Sequence, residues 1–129
     1  MADGHQTIIR AMEKMRVNRF ITLATPTVQS KDDRKNFTTV VPGIMAKILF
    51  PNAYREMKKI EQLIKNSELN WTVVRIINPN VKHKKDTYDV SLGDTTAKMA
   101  VSRENIGKFM YLVALQNSYV GQMPIVFNK

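Results

Sequence analysis

The sequence predicts an α/β fold, a doubly wound parallel sheet in three layers, and three observations predict it. The runs "RFITLA" and "NWTVVRIIN" are continuously apolar and rich in β-formers, as in strands buried on both faces. Stretches with helix periodicity, "QTIIRAMEKMR" and "NAYREMKKIEQLIKN", precede each of them. Helix and strand then keep alternating, which is the pattern of parallel strands covered by helices.

Each element has a local reason. From about Gln6 to Arg16, the residues Ile8, Ile9, Met12 and Met15 share one helical stripe. "RFITLATP" follows as a strand closed by Pro26. "TVQSKDDRKNFTT" is polar and unpatterned, a loop of the kind where ligands meet an α/β sheet. Pro42 can open a short helix through Phe50, with Ile44, Ile48 and Leu49 apolar. Pro51 interrupts it, and Asn52 to Asn66 form a longer helix. "NWTVVRIIN" is a strand stopped by Pro79, "PNVKHKKD" is a loop, and "TYDVSLGD" is a strand with a Gly-Asp turn. Ser102 then caps a helix with Glu104 in its first turn and Ile106, Phe109, Met110 and Val113 as its buried stripe. "PIVFN" is the last strand. The order describes one domain over residues 1–129, but it begins with a helix where a doubly wound fold begins with a strand.

Composition narrows the function. A chain of 129 residues with 43% in the hydrophobic class can bury a real core. No apolar tract approaches the roughly 18 residues of a membrane span. The start lacks a charged-then-apolar signal layout, so the expected location is the cytoplasm. Zero cysteines exclude disulfides, thiolate metal sites and a cysteine nucleophile. His5 and His83 lie far apart, which predicts no metal site. Neither a G-x-S-x-G elbow nor a phosphate-binding P-loop occurs. The net charge of +9 is spread over Lys31, Arg34 and Lys35, over Arg55, Lys58, Lys59 and Lys65, and over Lys82, Lys84 and Lys85. Aromatic residues are not interleaved with these cations in a stacking pattern. A solvated basic surface is therefore the first reading, phosphate attraction the second, and a nucleic-acid-binding module the third.

One passage is more specific. "IEQLIKNSELNWTVVR", Ile60 to Arg75, resembles the helix-to-strand passage of the atypical short-chain dehydrogenase/reductases that bind NAD(P), the NmrA-like and flavin-reductase-like group. "IIRAMEKMRVNRFITLAT", "YDVSLGD", "AVSRENIGKFM" and "SYVGQMPIVFN" are similar, in order, to further landmarks of that family. The resemblance covers nearly the whole chain. It implies a Rossmann-like, NAD(P)-binding fold and hydride transfer between NAD(P) and a small molecule. Yet Gly4, Gly43, Gly93, Gly107 and Gly121 are never clustered, so the family's phosphate-gripping turn is missing from these residues. The resemblance thus implies the carboxyl-terminal half of such a domain, without its first βαβ half, and inactive alone. In that case "FITLA" becomes an apolar edge, and a homo-oligomer or strand-exchanged dimer is expected. A non-catalytic interaction or regulatory protein on the same scaffold is the alternative.

The resemblance also implies site residues. In the family's classical relatives a tyrosine beside a lysine passes a proton to the substrate carbonyl, and a hydroxyl at the preceding strand end steadies the oxygen. This carries over to Tyr54 and Lys58, at Y-x-x-x-K spacing, and to Thr25. The cofactor side carries over to Thr25, Pro26, Thr27, Arg75, Ile76, Asn78 and Pro79, with Ile76 standing where the family usually has proline. The residues themselves allow blander readings. Tyr54 and Lys58 share a helix face with Glu61 and Lys65, a solvated face, whereas Ala53, Met57, Ile60 and Ile64 form the apolar side. Counted back from Ser67, the pair also sits one residue nearer than in extended family members, about 100° of helix rotation. Arg75 would otherwise be a surface ion pair at a strand end, and Trp71 a packing residue.

Overall fold

Strands β1 (Arg19–Ala24) and β2 (Asn70–Arg75) run parallel in register from Arg19↔Asn70 to Ala24↔Arg75. In this computed structural model, which describes residues 1–26, 28–34, 37–81, 87–95 and 97–129, they begin a four-stranded sheet of order β1-β2-β6-β4. Strand β6 (Ile125–Asn128) is parallel to β2, and β4 (Tyr88–Ser91) is antiparallel to β6. The short strands β3 (Asn78–Asn80) and β5 (Ala100–Ser102) pair separately. The main sheet is thus mostly parallel, with an antiparallel outer strand that the alternation of elements could not announce. On β4, Asp89 Oδ1 accepts the Val90 N–H at 2.9 Å.

Helices α1 (Ala2–Lys14) and α3 (Pro51–Lys65) cover one face, and α4 (Arg103–Gln116) covers the other. Alternation along β2 divides the core. Val73 packs with Ile9, Ile60 and Ile64, whereas Val74 packs with Ile106, Phe109 and Val113. Ser102 caps α4 as expected, its Oγ accepting the Asn105 N–H at 3.2 Å. Pro51 occupies the first turn of α3, where its missing N–H costs no helix bond.

Two boundaries differ from the expectation. Helix α2 (Phe37–Leu49) begins ahead of Pro42, which lies in its second turn, where the missing N–H removes one ladder bond. Ile44, Ile48 and Leu49 are exposed. Strand β2 stops at Arg75, and Pro79 sits within β3. Asn78 N–H donates to Met99 O at 3.0 Å, so the proline occupies the alternate position, whose N–H the parallel ladder does not need.

The run "FITLA" stands at the sheet edge. No residue of β1 is buried, and Leu23 is 45% exposed. Its first residue is nevertheless fixed: Arg19 donates to Asn70 O at 2.9 Å and to Ser118 O at 2.7 Å, joining the start of β1 to the end of α4.

Candidate functional site

The carboxyl ends of β1 and β2 carry most of the expected ligand-side residues. Ile76 N–H donates to Ala24 O at 2.9 Å, extending the β1–β2 pairing one residue past the strands. This brings Thr25 and Ile76 to adjacent places at the end of the sheet. Thr25 is exposed and Pro26 buried, and Val28 N–H closes a turn on Thr25 O at 3.1 Å. Thr27 lies outside the described residues. Asn78 and Pro79, both exposed, follow Ile76 directly as β3.

The segment after Thr25 folds back over the sheet and is held from beneath by Arg75. This side chain is wholly buried, which overturns the surface ion pair as an account of it. Its Nε donates to Met123 O at 2.8 Å and its Nη1 to Val28 O at 3.3 Å. Asp33 completes the enclosure with two hydrogen bonds of 2.7 Å. A guanidinium so enclosed has no cofactor-facing surface. The expected cofactor contact of Arg75 is therefore corrected to a positioning role: it ties the β1–α2 loop to the start of β6. Arg34 N–H donates to Gly93 O at 2.8 Å, which adds the β4 turn to the same assembly.

Helix α3 grips the loop from the other side. Lys65 Nζ reaches Gln29 O at 2.7 Å and Glu61 Oε1 at 2.8 Å, and Lys58 Nζ reaches Glu61 Oε2 at 3.0 Å. Glu61 is buried, although the helix wheel places it on a solvated face. Burial pushes its carboxyl up, but hydrogen bonds from Lys65 and Lys58, the Lys58 charge and the Gln29 N–H together hold it below the ordinary value.

Tyr54 and Lys58 point elsewhere. Both line a groove of about 750 Å³ between α1 and α3, together with Ile9, Arg10 and Leu63, and Thr25 does not line it. Lys58 Nζ lies 5.7 Å from the centre of the Tyr54 ring. Toward β1 the helix presents Met57 and Ile60, which line a smaller cavity of about 190 Å³ with Leu23 and Ala24. The structure thus brings Tyr54 and Lys58 together, but with α1 rather than with Thr25. Asp33, Glu61 and Gln29, which organise the loop, were not legible as site residues. Asp33 lies 42 positions from the cation it meets, and no local pattern links them.

A mostly parallel α/β sheet, with a structured loop at the carboxyl ends of its strands, is the architecture on which dinucleotide-binding domains are built. The family described as NAD(P)H-binding matches residues 1–117, and the chain belongs to that family. It is an NAD(P)-binding domain of Rossmann-like type. Three solved structures show the shared fold. A wide-type short-chain dehydrogenase/reductase from Veillonella parvula DSM 2008, in complex with NADP, superposes with TM-score 0.77 at 17% identity, over 98% of this chain and 58% of its own. The anaerobillin reductase ChuY from Escherichia coli O157:H7 gives 0.72 at 17%, over 96% and 56%. The oxidoreductase ylbE from Lactococcus lactis gives 0.71 at 16%, over 98% and 53%. The chain therefore spans little more than half the length of these proteins. Comparison with curated protein sequences found no match. Among the described residues, no helix is long and apolar enough to cross a membrane.

Proposed function

We propose that this chain serves NAD(P)-dependent redox chemistry on a small molecule, with hydride passing between the nicotinamide and the substrate. In this reading the sheet end built by Thr25, Pro26, Ile76, Asn78 and Pro79 faces the nicotinamide half of the dinucleotide. The observation that carries it is the adjacency of Thr25 and Ile76 beside a loop pinned by Arg75, Glu61 and Lys65. Bound NAD(P)H would supply the hydride, and the chain's own part is to orient the ring and to shield that end of the sheet from water. The diphosphate requires backbone N–H donors at a glycine-rich helix start, which these residues lack, so a strand–glycine turn–helix unit must supply them.

The test is a nuclear magnetic resonance titration of the isotope-labelled chain with NADPH, NADH and nicotinamide mononucleotide. Concerted amide shifts at Thr25, Ile76 and Asn78 with all three ligands are expected. Shifts confined to other regions, or none at millimolar ligand, would refute the assignment.

A non-catalytic interaction protein on the same scaffold is the second reading. It is favoured by the placement of Tyr54 and Lys58, which share a groove away from Thr25 while Lys58 holds Glu61. Here the same shifts would appear, without NADPH consumption against any carbonyl or flavin substrate tried.

A further inference from the structure

We propose that a pocket of about 250 Å³ on the α3 face of the sheet binds a small aromatic carboxylate. Ser30, Lys31, Lys65, Trp71, Gly121 and Met123 line it. Thr25, Ile76 and Asn78 take no part in it, so the proposal is independent of the redox reading. None of the six belongs to β1, so its walls do not depend on what lies beside that edge.

Local structure explains why the pocket exists. Trp71 stands two residues before Val73 on β2, and alternation sets both on the α3 side. Gly121 N–H donates to Trp71 O at 2.7 Å, and Val73 N–H donates to Gln122 O at 3.1 Å. These bonds lay the segment before β6 along β2 and bring Met123 into the same core. A Cβ at Gly121 would meet no atom within 4 Å, so the backbone there faces open space. From the helix side, Lys65 Nζ holds Gln29 O at 2.7 Å and fixes the adjoining Ser30 and Lys31 as the rim.

The lining selects the chemistry. Its two ionisable residues are both cations. Lys65 Nζ bonds Gln29 O and Glu61 Oε1, which leaves one of its three protons for a ligand. Ser30 Oγ accepts the Asp32 N–H at 3.3 Å, and a hydroxyl that accepts still has its own proton to donate. Loop and helix therefore supply charge and donors suited to a carboxylate. The sheet side supplies the Trp71 indole and the Met123 thioether, two surfaces that favour an aromatic ring. The volume falls below the roughly 300–1,000 Å³ of common ligand sites, so it suits a single ring and is too small for a dinucleotide. A bare phosphate would leave Trp71 and Met123 uncovered. An uncharged ring would leave Lys31 and Lys65 without an anion.

Trp71 is the sole tryptophan of the chain, so its emission reports on the pocket directly. Benzoate is expected to shift that emission saturably, with a Kd of about 1 mM, ordinary for so small a ligand. Benzyl alcohol, a ring without charge, and inorganic phosphate, a charge without a ring, should each bind roughly tenfold more weakly. Lys31→Glu should weaken benzoate about fivefold. Lys59→Glu reverses an exposed cation that does not line the pocket, and should leave the Kd unchanged. Gly121→Asn keeps a residue that tolerates the local φ of +70° and fills the open space, so it should abolish the shift. Circular dichroism checks that each variant is folded. No saturable shift up to tens of millimolar benzoate would overturn the proposal. Phosphate or benzyl alcohol binding as tightly as benzoate would overturn the ligand class. Equal weakening by Lys59→Glu and Lys31→Glu would reduce the effect to general charge, and a Kd unmoved by Lys31→Glu would place the ligand elsewhere.

Discussion

Asp33 and Arg75 meet as a two-pronged pair, Oδ2 to Nη1 and Oδ1 to Nη2 at 2.7 Å each, with the guanidinium wholly buried. The geometry is the bidentate one that Arg forms best with a carboxylate. The pair joins the loop after β1 to the end of β2, so its integrity decides whether the sheet end keeps its shape.

Removing one partner leaves the other charged in a low-dielectric site. Asp33→Ala and Arg75→Met should each cost about 3–5 kcal/mol in urea unfolding. The double variant Asp33→Leu/Arg75→Met should lie closer to the parent than either single change, because no charge is then stranded. If the single variants lose under 1 kcal/mol, the pair is not what holds the loop.

Gly93 is constrained twice. Its φ is +93°, where L side chains are rare, and a Cβ there would run into the Asp33 carboxylate. Gly93→Ala should therefore destabilise by more than the approximately 1–3 kcal/mol of backbone strain alone. Combined with Asp33→Ala, its extra cost should be smaller than in the parent, which a thermodynamic cycle of the four proteins reads directly.

Glu61 gives a pH signature. Its folded carboxyl lies below the ordinary value of 4.5 despite burial, because Lys65 and Lys58 bond it. A depressed acid contributes stability that is fully present above pH 4.5 and is lost as pH falls through the lowered folded value. Melting temperatures should separate the parent from Glu61→Gln at neutral pH, and the two curves should converge in acid. Curves that stay parallel into acid would contradict this account.

The parts legible in the sequence were those with local causes. Ser102 announced the start of α4, the spacing of Ile106, Phe109 and Val113 announced its buried face, and Gly93 announced the turn after β4. The placement of "FITLA" at an edge was implied by the family resemblance, these residues lacking its glycine-rich turn. Other features depend on partners remote in the chain. The helix wheel assigned Glu61 to water because periodicity cannot see a loop folding back from Gln29. It could not foresee that Asp33 would take up Arg75. Pro79 ended a strand by local rule, but β5, formed twenty residues later, gave it a ladder position that needs no donor.

The two margins of the main sheet are unequal. At β4, the carboxylate of Asp89 already occupies the Val90 amide and sets a negative charge beside the strand, a guard against added strands. On the opposite flank, β1, the only charged residue is Arg19, and its side chain is turned to Asn70 O and Ser118 O, so no carboxylate screens that margin.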